Sequence, residues 1–494
     1  MWCAYTQSPI IQWQKSFGGS GIDEAHSIKQ TNDGGYIVCG ETNSNDGDVI
    51  GNHGQTDVWV IKLNELGEIQ WKRCYGGQGP IPNAVSPGTD IGYSICQTSD
   101  SCFIIAGITN SNNFDISDVT CGNNINLNYI LLLKINFQGD ILWQKCLDGI
   151  IANSVEPTYD GGCIVAASGR GPSFDYLVFK LDINGEEVWQ WTSGGIGSDG
   201  PKSVTKTLDG GFLISGIHSS EDLGLIGDLH DSWIVKLNAL GELQWQKSIG
   251  DLFEDQIYSA VELNNGNIIF CGWSNSNVTD HKGLSDLWVV CLSSTGDINW
   301  QKRYGGESQD MGFSICLTLD GGIILAGTTA SNNIDVNGNH GNYDFWILKI
   351  DILGNIEWQK CLGGTNKDIA SSIEQSNDGG IIIAGMTESN NLDVTNNNGQ
   401  SDFWVVKLSS ILNNNQTEKI LPIDISPNPT SHSITIKGEK NMNQSFSIFD
   451  QMGREVFKGK LNGISTEVNL SILSKGIYTL KIEGNYKPAQ IVKE

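Results

Sequence analysis

The chain contains no uninterrupted apolar run of the ~18 residues that a membrane-crossing helix needs. Basic residues are few: 30 Lys and Arg stand against 56 Asp and Glu, for a net charge of −26. A surface of that sign repels phosphate backbones, so no nucleic-acid partner is expected. Proline is also sparse, 11 residues against 60 glycines, and short Val/Ile runs recur throughout. That balance reads as β-structure joined by tight turns. No Cys-x-x-Cys pair, Gly-x-Ser-x-Gly elbow, phosphate-cradling glycine loop or His-Glu-x-x-His helix occurs. Residues 1–9 lack the basic start and apolar stretch of a secretory signal and read as a remnant whose signal peptide is missing.

The 12 cysteines do not form a disulfide framework. Cys39 and Cys271 stand where other repeats carry Ala106, Ser215, Ala326 and Ala384. Cys74, Cys146 and Cys361 alternate with Ser16, Thr192, Ser248 and Arg303, and Cys291 stands where Lys62 stands. Single exchange among small residues points to buried free thiols rather than bridges.

What the chain does have is repetition. Trp13, Trp71, Trp143, Trp189, Trp245, Trp300 and Trp358 each sit in one phrase, such as Ile-Gln-Trp-Gln-Lys-Ser-Phe-Gly-Gly at 11–19. The spacing averages near a size that implies one supersecondary unit copied and stacked. Each copy carries four strand signals; in the first they are Ala25–Thr31, Tyr36–Thr42, Val58–Leu63 and Glu68–Cys74, here strands A to D. Asp33-Gly34, Asp160-Gly161, Asp209-Gly210, Asp320-Gly321 and Asp378-Gly379 form the A–B turns, supplying the positive φ that a tight hairpin needs.

Strand C is apolar on both faces, as in Val58-Trp59-Val60-Ile61, which fits a sheet sandwiched between two neighbours. Trp59, Trp233, Trp288, Trp346 and Trp404 share one position on it and are read as packing between sheets. A, B and C occur seven times, but no strand D follows Asp402–Leu408; the strand at Ile10–Ser16 is expected to complete the last set. The expected fold is therefore all-β: a seven-bladed propeller over 10–408 closed by the N-terminal strand. The repeat resembles bacterial β-propeller repeat families, whose units share the Gly-Gly, Asp-Gly-Gly and Gly-x-Thr phrases. That resemblance implies architecture and no single activity.

Strand direction puts the short A–B and C–D turns on one face and the long B–C and D–A loops on the other. The B–C loop reads Ser44-Asn45-x-x-Asp48 and recurs at Ser111, Ser276, Ser331 and Ser389. Function is carried on loops held by a rigid scaffold. The expected ligand-binding residues are therefore Asp48, His53, Asp57, Asp335, His340, Asp344, Asp393 and Asp402. Their oxygens would suit Ca²⁺, although no cofactor is required and the EF-hand spacing is absent. The competing expectation is that Asp and Asn cap loop N–H groups in Asx-turns, and recurrence in blade after blade favours it. No catalytic residues are assigned. The short loop Ser168–Ser173 and the long loop Asn110–Asn128 make blades two and three the expected place for a specific pocket.

After a polar linker, 409–421, the pattern changes. Residues 422–494 hold nine Lys/Arg and seven Asp/Glu, leaving a charge of −28 on 1–421. Ser426-Pro-Asn-Pro-Thr430 opens a run of short alternating strands ending in Leu473-Ser-Lys-Gly-Ile-Tyr-Thr-Leu-Lys-Ile482, a small β-sandwich signature. The segment looks like the C-terminal sorting domain of the type IX secretion system of Bacteroidetes. The resemblance implies a secreted or outer-surface protein that engages the type IX machinery through 422–494. The expected function is a non-enzymatic binding or scaffold module, monomeric, for a glycan or surface protein. A polysaccharide-active hydrolase or lyase, and a spacer without ligand, are the alternatives.

Overall fold

Each copy of the repeat folds into four antiparallel strands. In the first, strand A is Asp23–Gln30, B is Tyr36–Thr42, C is Asp57–Leu63 and D is Ile69–Tyr75. The computed structural model describes residues 8–78, 88–116, 127–170, 174–219, 231–250, 253–276, 280–410, 423–442, 445–450, 454–482 and 489–494. Most of the 1–9 remnant and of the 409–421 linker lies outside these residues. The chain divides into two compact units, Met1–Ile411 and Leu412–Glu494.

In the first unit, six sheets run A–B–C–D in chain order. The seventh contains Asp368–Gln375, Ile381–Thr387 and Asp402–Leu408, with Ile11–Phe17 as its outer strand. Ser16 lies opposite Trp404 and Gln14 opposite Val406, and the Gln14 side chain accepts from the Trp404 indole at 2.8 Å. The seven A strands touch in sequence, and that of the seventh sheet touches that of the first. Seven four-stranded sheets in this arrangement are propeller blades. Strands A and C start earlier than the apolar pattern suggests, at Asp23 and Asp57. The Asp23 N–H donates to Ser401 O of the seventh blade at 2.9 Å, a partner invisible in local periodicity.

The two tryptophan columns serve different contacts. Trp59, Trp233, Trp288, Trp346 and Trp404 on strand C are fully buried between sheets. Six of the strand-D tryptophans instead cover the C–D turn of the next blade, while Trp358, whose next blade has no such turn, is buried in the core. A Cβ on Gly67 would meet the Trp13 ring at 2.8 Å, and one on Gly241 the Trp189 ring at 2.8 Å. Both glycines also have positive φ, +76° and +81°. The Trp phrase and the turn glycine are thus two halves of one inter-blade contact.

The Asp of the A–B turn has a second task beyond the hairpin. Lys62, Lys236, Lys349 and Lys407 on strand C reach Asp33, Asp209, Asp320 and Asp378 at 2.9, 2.9, 3.0 and 2.8 Å. Lys134–Asp100 and Lys180–Asp160 repeat the pair. In the fifth blade both partners change together, to Cys291 and Asn265. Joint replacement follows from burial, because an ammonium left alone there would carry its full desolvation cost.

Nine of the cysteines are free thiols, seven of them buried. Cys146 departs from the expectation of free thiols: it is disulfide-bonded. It is half-buried, whereas Cys74 and Cys361 at the same strand-D position are buried. Half-burial alone does not decide it, since Cys102 and Cys316 are half-buried and free; a bridge needs a second thiol within reach, which alternation at one strand position does not report.

The second unit is a β-sandwich. One sheet joins Ile423–Ser426, Ser433–Met442 and Gly463–Asn469; the other joins Glu455–Lys460, Ser445–Phe449, Gly476–Ile482 and Ala489–Lys493. Ile434, Ile436, Phe446, Ile448, Leu480 and Ile491 form its core. The first and last strands were not apparent in the alternation pattern, being only 4 and 5 residues long.

Removing residues 1–17 takes the outer strand from the seventh blade and exposes the edge of Asp402–Leu408. Such a truncate should unfold or self-associate; a monomer with an unchanged Tm would refute the pairing. Gly241→Ala should destabilise the protein by ~1–3 kcal/mol more than Gly210→Ala. Both glycines have φ +81°, but a Cβ on Gly210 has nothing within 4 Å. Equal loss in denaturant titration would show that the Trp189 contact contributes nothing.

Candidate functional site

The long loops are held by a repeated set of buried hydrogen bonds. Asp23, the first residue of strand A, accepts from Gly19 N–H at 2.7 Å and Ser44 Oγ at 2.8 Å, and from the Thr42 hydroxyl. Asp90, Asp310 and Asp368 repeat this with Ser111, Ser331 and Ser389 at 2.7, 2.8 and 2.9 Å. The Ser of the Ser-Asn-x-x-Asp phrase is therefore a loop brace. Neighbouring amide and carboxyl oxygens cap backbone: Asp46 accepts from Ser20 N–H at 2.7 Å, Asn333 from Glu307 N–H at 3.0 Å and Asn391 from Thr365 N–H at 3.0 Å. Capping is the role that recurrence favoured.

The eight residues expected to bind ligand fall into two groups. Asp57, Asp344 and Asp402 are fully buried at the start of strand C. Asp57 Oδ2 accepts from His53 N–H at 3.0 Å, and Asp344 Oδ2 from His340 N–H at 3.0 Å. The same oxygens lie 3.0 and 2.7 Å from His53 Nδ1 and His340 Nδ1. Asp402 Oδ2 accepts from Asn398 N–H at 2.8 Å. Asp48, Asp335, Asp393 and the two histidines remain nearer the surface. Lys72 reaches Asp48 at 3.4 Å and Lys282 reaches Asp335 at 2.5 Å. Asp393 accepts from Gly363 N–H at 3.3 Å and lies 4.0 Å from His340. The structure brings together His340, Asp344 and Asp393, and likewise His53, Asp57 and Asp115; it does not join one trio to the other. Among the described residues no group of three or more His, Cys, Asp or Glu side chains could hold a metal ion. The Oδ2 atoms of Asp57, Asp344 and Asp402 accept from loop N–H groups, while Asp48 and Asp335 pair with lysine.

Each buried strand-C aspartate also faces a strand-A aspartate of the next blade across a glycine. A Cβ on Gly363 would lie 2.7 Å from Asp344 Oδ1 and 2.6 Å from Asp368 Oδ2. On Gly305 the corresponding distances to Asp286 and Asp310 are 2.7 and 2.5 Å, and Gly18 separates Asp402 from Asp23 in the same way. Burial pushes Asp344 up to about 6, with Asp368 adding to it. Burial likewise pushes Asp402 up to about 6, with Asp23 adding, and Asp90 up to about 7, with Asp57 adding. The junction of blades two and three lacks this pair: Tyr129 and Ile150 stand in the two positions. There Arg170 stacks 4.6 Å from the Tyr129 ring centre and donates to Gly149 O at 2.8 Å. Parts of both unequal loops, 117–126 and 171–173, lie outside the described residues.

A second concave region runs along the axis. All seven A strands carry a β-bulge at the same place. The bulged residues are His26, Tyr93, Asn153, Lys202, Tyr258, Phe313 and Ser371, each half-buried. They line a cavity of about 610 Å³ with neighbours on the same strands. The next residue is serine in every blade, and the Oγ of Ser27, Ser94, Ser154, Ser314 and Ser372 accepts a backbone N–H from an adjacent blade, as in Ser372 to Ile28 at 3.2 Å and Ser94 to Val155 at 3.1 Å. Sequence reasoning overlooked this column; the signal was one variable residue before a serine repeated seven times.

Residues 424–493 match the secretion system C-terminal sorting domain. No curated protein matches the sequence. Among solved structures, the chain is similar to the WD40 domain of Neurospora crassa Pan2, at 10% identity over 78% of this chain and 89% of that one, with TM-score 0.43. It is also similar to a fungal alcohol oxidase of the AA5 family in complex with copper, at 13% identity over 98% and 99%, TM-score 0.45. A periplasmic gluconolactonase from Pseudomonas aeruginosa aligns at 11% identity over 72% and 96%, TM-score 0.40. Likeness at this level transfers no activity. The sorting domain marks the chain as a type IX cargo, recognised by that machinery and delivered to the cell surface or the extracellular space. No helix among the described residues is long and apolar enough to cross a membrane.

The junction carboxyls fix a sign for pH dependence. Their folded values are raised, so the stability they contribute is complete below about 4 and is lost as pH rises through 6 to 7. Tm should fall between pH 5 and pH 8 in thermal melts. Asp402→Asn, which keeps an acceptor for Asn398 N–H and turns an amide toward Asp23, should raise Tm at pH 8 and flatten the profile. A profile unaltered by the substitution would remove the junction as its source.

Proposed function

We propose that this is an exported, non-enzymatic binding and scaffold propeller, closed into a ring by its N-terminal strand and presenting its long-loop face to a glycan or surface protein. The observation that carries the reading is a sorting domain at 424–493 joined to a propeller whose long loops all open on one face. Closure is supported by the pairing of Ile11–Phe17 with Asp402–Leu408 and by the Ile22–Ser401 bridge. The accessible part of the proposed face comprises Asp48, His53, Asp335, His340 and Asp393, on loops whose backbone is already braced. A rigid, braced surface loses little entropy on binding, which favours recognition by preformed contacts. No metal is needed to hold these loops, because the buried aspartates already organise their N–H groups.

The test is a glycan-array screen of the full chain in Ca²⁺ and again in EDTA, with product analysis of every hit. Binding without product, equal in the two buffers, and a Tm unmoved by EDTA are expected. Released product would replace the reading with a polysaccharide-active enzyme. Loss of binding in EDTA would place a cation in the loop face, and a blank array would exclude the glycan.

A further inference from the structure

In a propeller built from copies, any side chain needed to make a blade appears in nearly every blade. The strand-A aspartate occurs six times, the channel serine seven times and the buried Lys–Asp pair six times. The bulge position between aspartate and serine breaks this regularity: its seven residues are of six types. A position that shares its backbone geometry with every other blade but not its chemistry is free of construction duty. Bulges also re-aim a side chain out of the sheet, here into the axial cavity.

The chemistry of the column is organised. Going round the ring, an aromatic pair, His26 and Tyr93 with ring centres 5.2 Å apart, is followed by the polar pair Asn153 and Lys202. A second aromatic pair comes next, Tyr258 and Phe313, edge to face at 5.2 Å and 84°. The Lys202 ammonium lies 5.5 Å from the Tyr258 ring centre and has no acidic partner among the described residues. Asn153 Nδ2 donates to Pro201 O at 2.8 Å, which leaves its carbonyl oxygen available to a donor. Along the axis the neighbouring layer is neutralised from within, since Lys29 faces Glu156 at 3.8 Å and Glu374. Lys202 and Lys206 are thus the cavity-lining lysines without an ion pair among the described residues, and the Lys206 ammonium lies instead 5.2 Å from the Tyr159 ring centre.

We propose that the axial channel is a binding site for a small cyclic organic acid, its six-membered ring held against the two aromatic pairs and its carboxylate on Lys202. The cavity of about 610 Å³ lies within the usual range for small-molecule sites. Burial pulls the Lys202 ammonium below its ordinary value, and an anion beside it would reverse that loss. A carboxylate inside a protein of net charge −26 needs such a local cation, so the site selects an acid by one contact while its rings favour a flat or cyclic body. The chemistry is shared by uronic sugars and aromatic acids. This site is separate from the loop face, and a blank glycan array leaves it standing.

The experiment is isothermal titration of the full chain with glucuronate and with 4-hydroxybenzoate, each beside its neutral counterpart, glucose and 4-hydroxybenzyl alcohol. One acid should bind, with its neutral counterpart at least about tenfold weaker, and Lys202→Gln should weaken the acid by about tenfold without shifting Tm. Tyr258→Leu, which removes a ring but keeps the ammonium, should weaken it as well. Glucuronate binding assigns the saccharide acid and hydroxybenzoate binding the aromatic one. Failure of both acids, equal affinity for the neutral compound, or unchanged affinity in both variants would overturn the proposal.

Discussion

A sheet that is apolar on both faces cannot stand alone in water. Strand C of each blade buries residues such as Trp59 on one side and Val58 and Val60 on the other, in separate core clusters shared with different neighbours. Each blade therefore needs a neighbour against either face. The single-facedness of the long loops and the axial cavity follow from that requirement. The Trp13–Gly67 and Trp189–Gly241 contacts are its local expression at the outer rim.

Around this constraint, repeated and unrepeated residues divide the labour. Repeated polar residues mostly satisfy buried backbone: Asp23 and Ser44 brace a loop, Ser372 links two A strands, and Lys62 neutralises Asp33. The fifth blade, where Lys and Asp are lost together as Cys291 and Asn265, shows that the unit of design is the pair rather than the residue. Unrepeated positions cluster on the bulge column and at the blade two–three junction, where Tyr129 and Ile150 take the place of facing aspartates. A copied architecture leaves room for specificity at places its own packing does not use.

Much of the fold was legible because its signals are local. The Trp period, the Asp-Gly turns and the doubly apolar strand C depend on a few adjacent residues, and they locate strands to within one or two positions. The site was less legible. Asp57, Asp344 and Asp402 look in sequence like members of an exposed acidic loop, but they are buried because the Gly-Gly phrase after strand D of the same blade closes over them. Cys146 looks like its equivalents Cys74 and Cys361, yet it is disulfide-bonded while they are free thiols.

Sequence alone determined the number of blades, the direction of the loops, the sandwich at the C-terminus and the export route, since each is written in contiguous phrases or in their count. Only the tertiary structure decided which carboxylates face solvent, which pair across a glycine, and which seven side chains meet on the axis. Those are relations between residues distant in the chain, set by how one sheet lies against the next. A repeat announces that such neighbours exist, but the distance and angle between them are properties of packing, and it is packing that assigns a buried aspartate to structure and a bulged lysine to the channel.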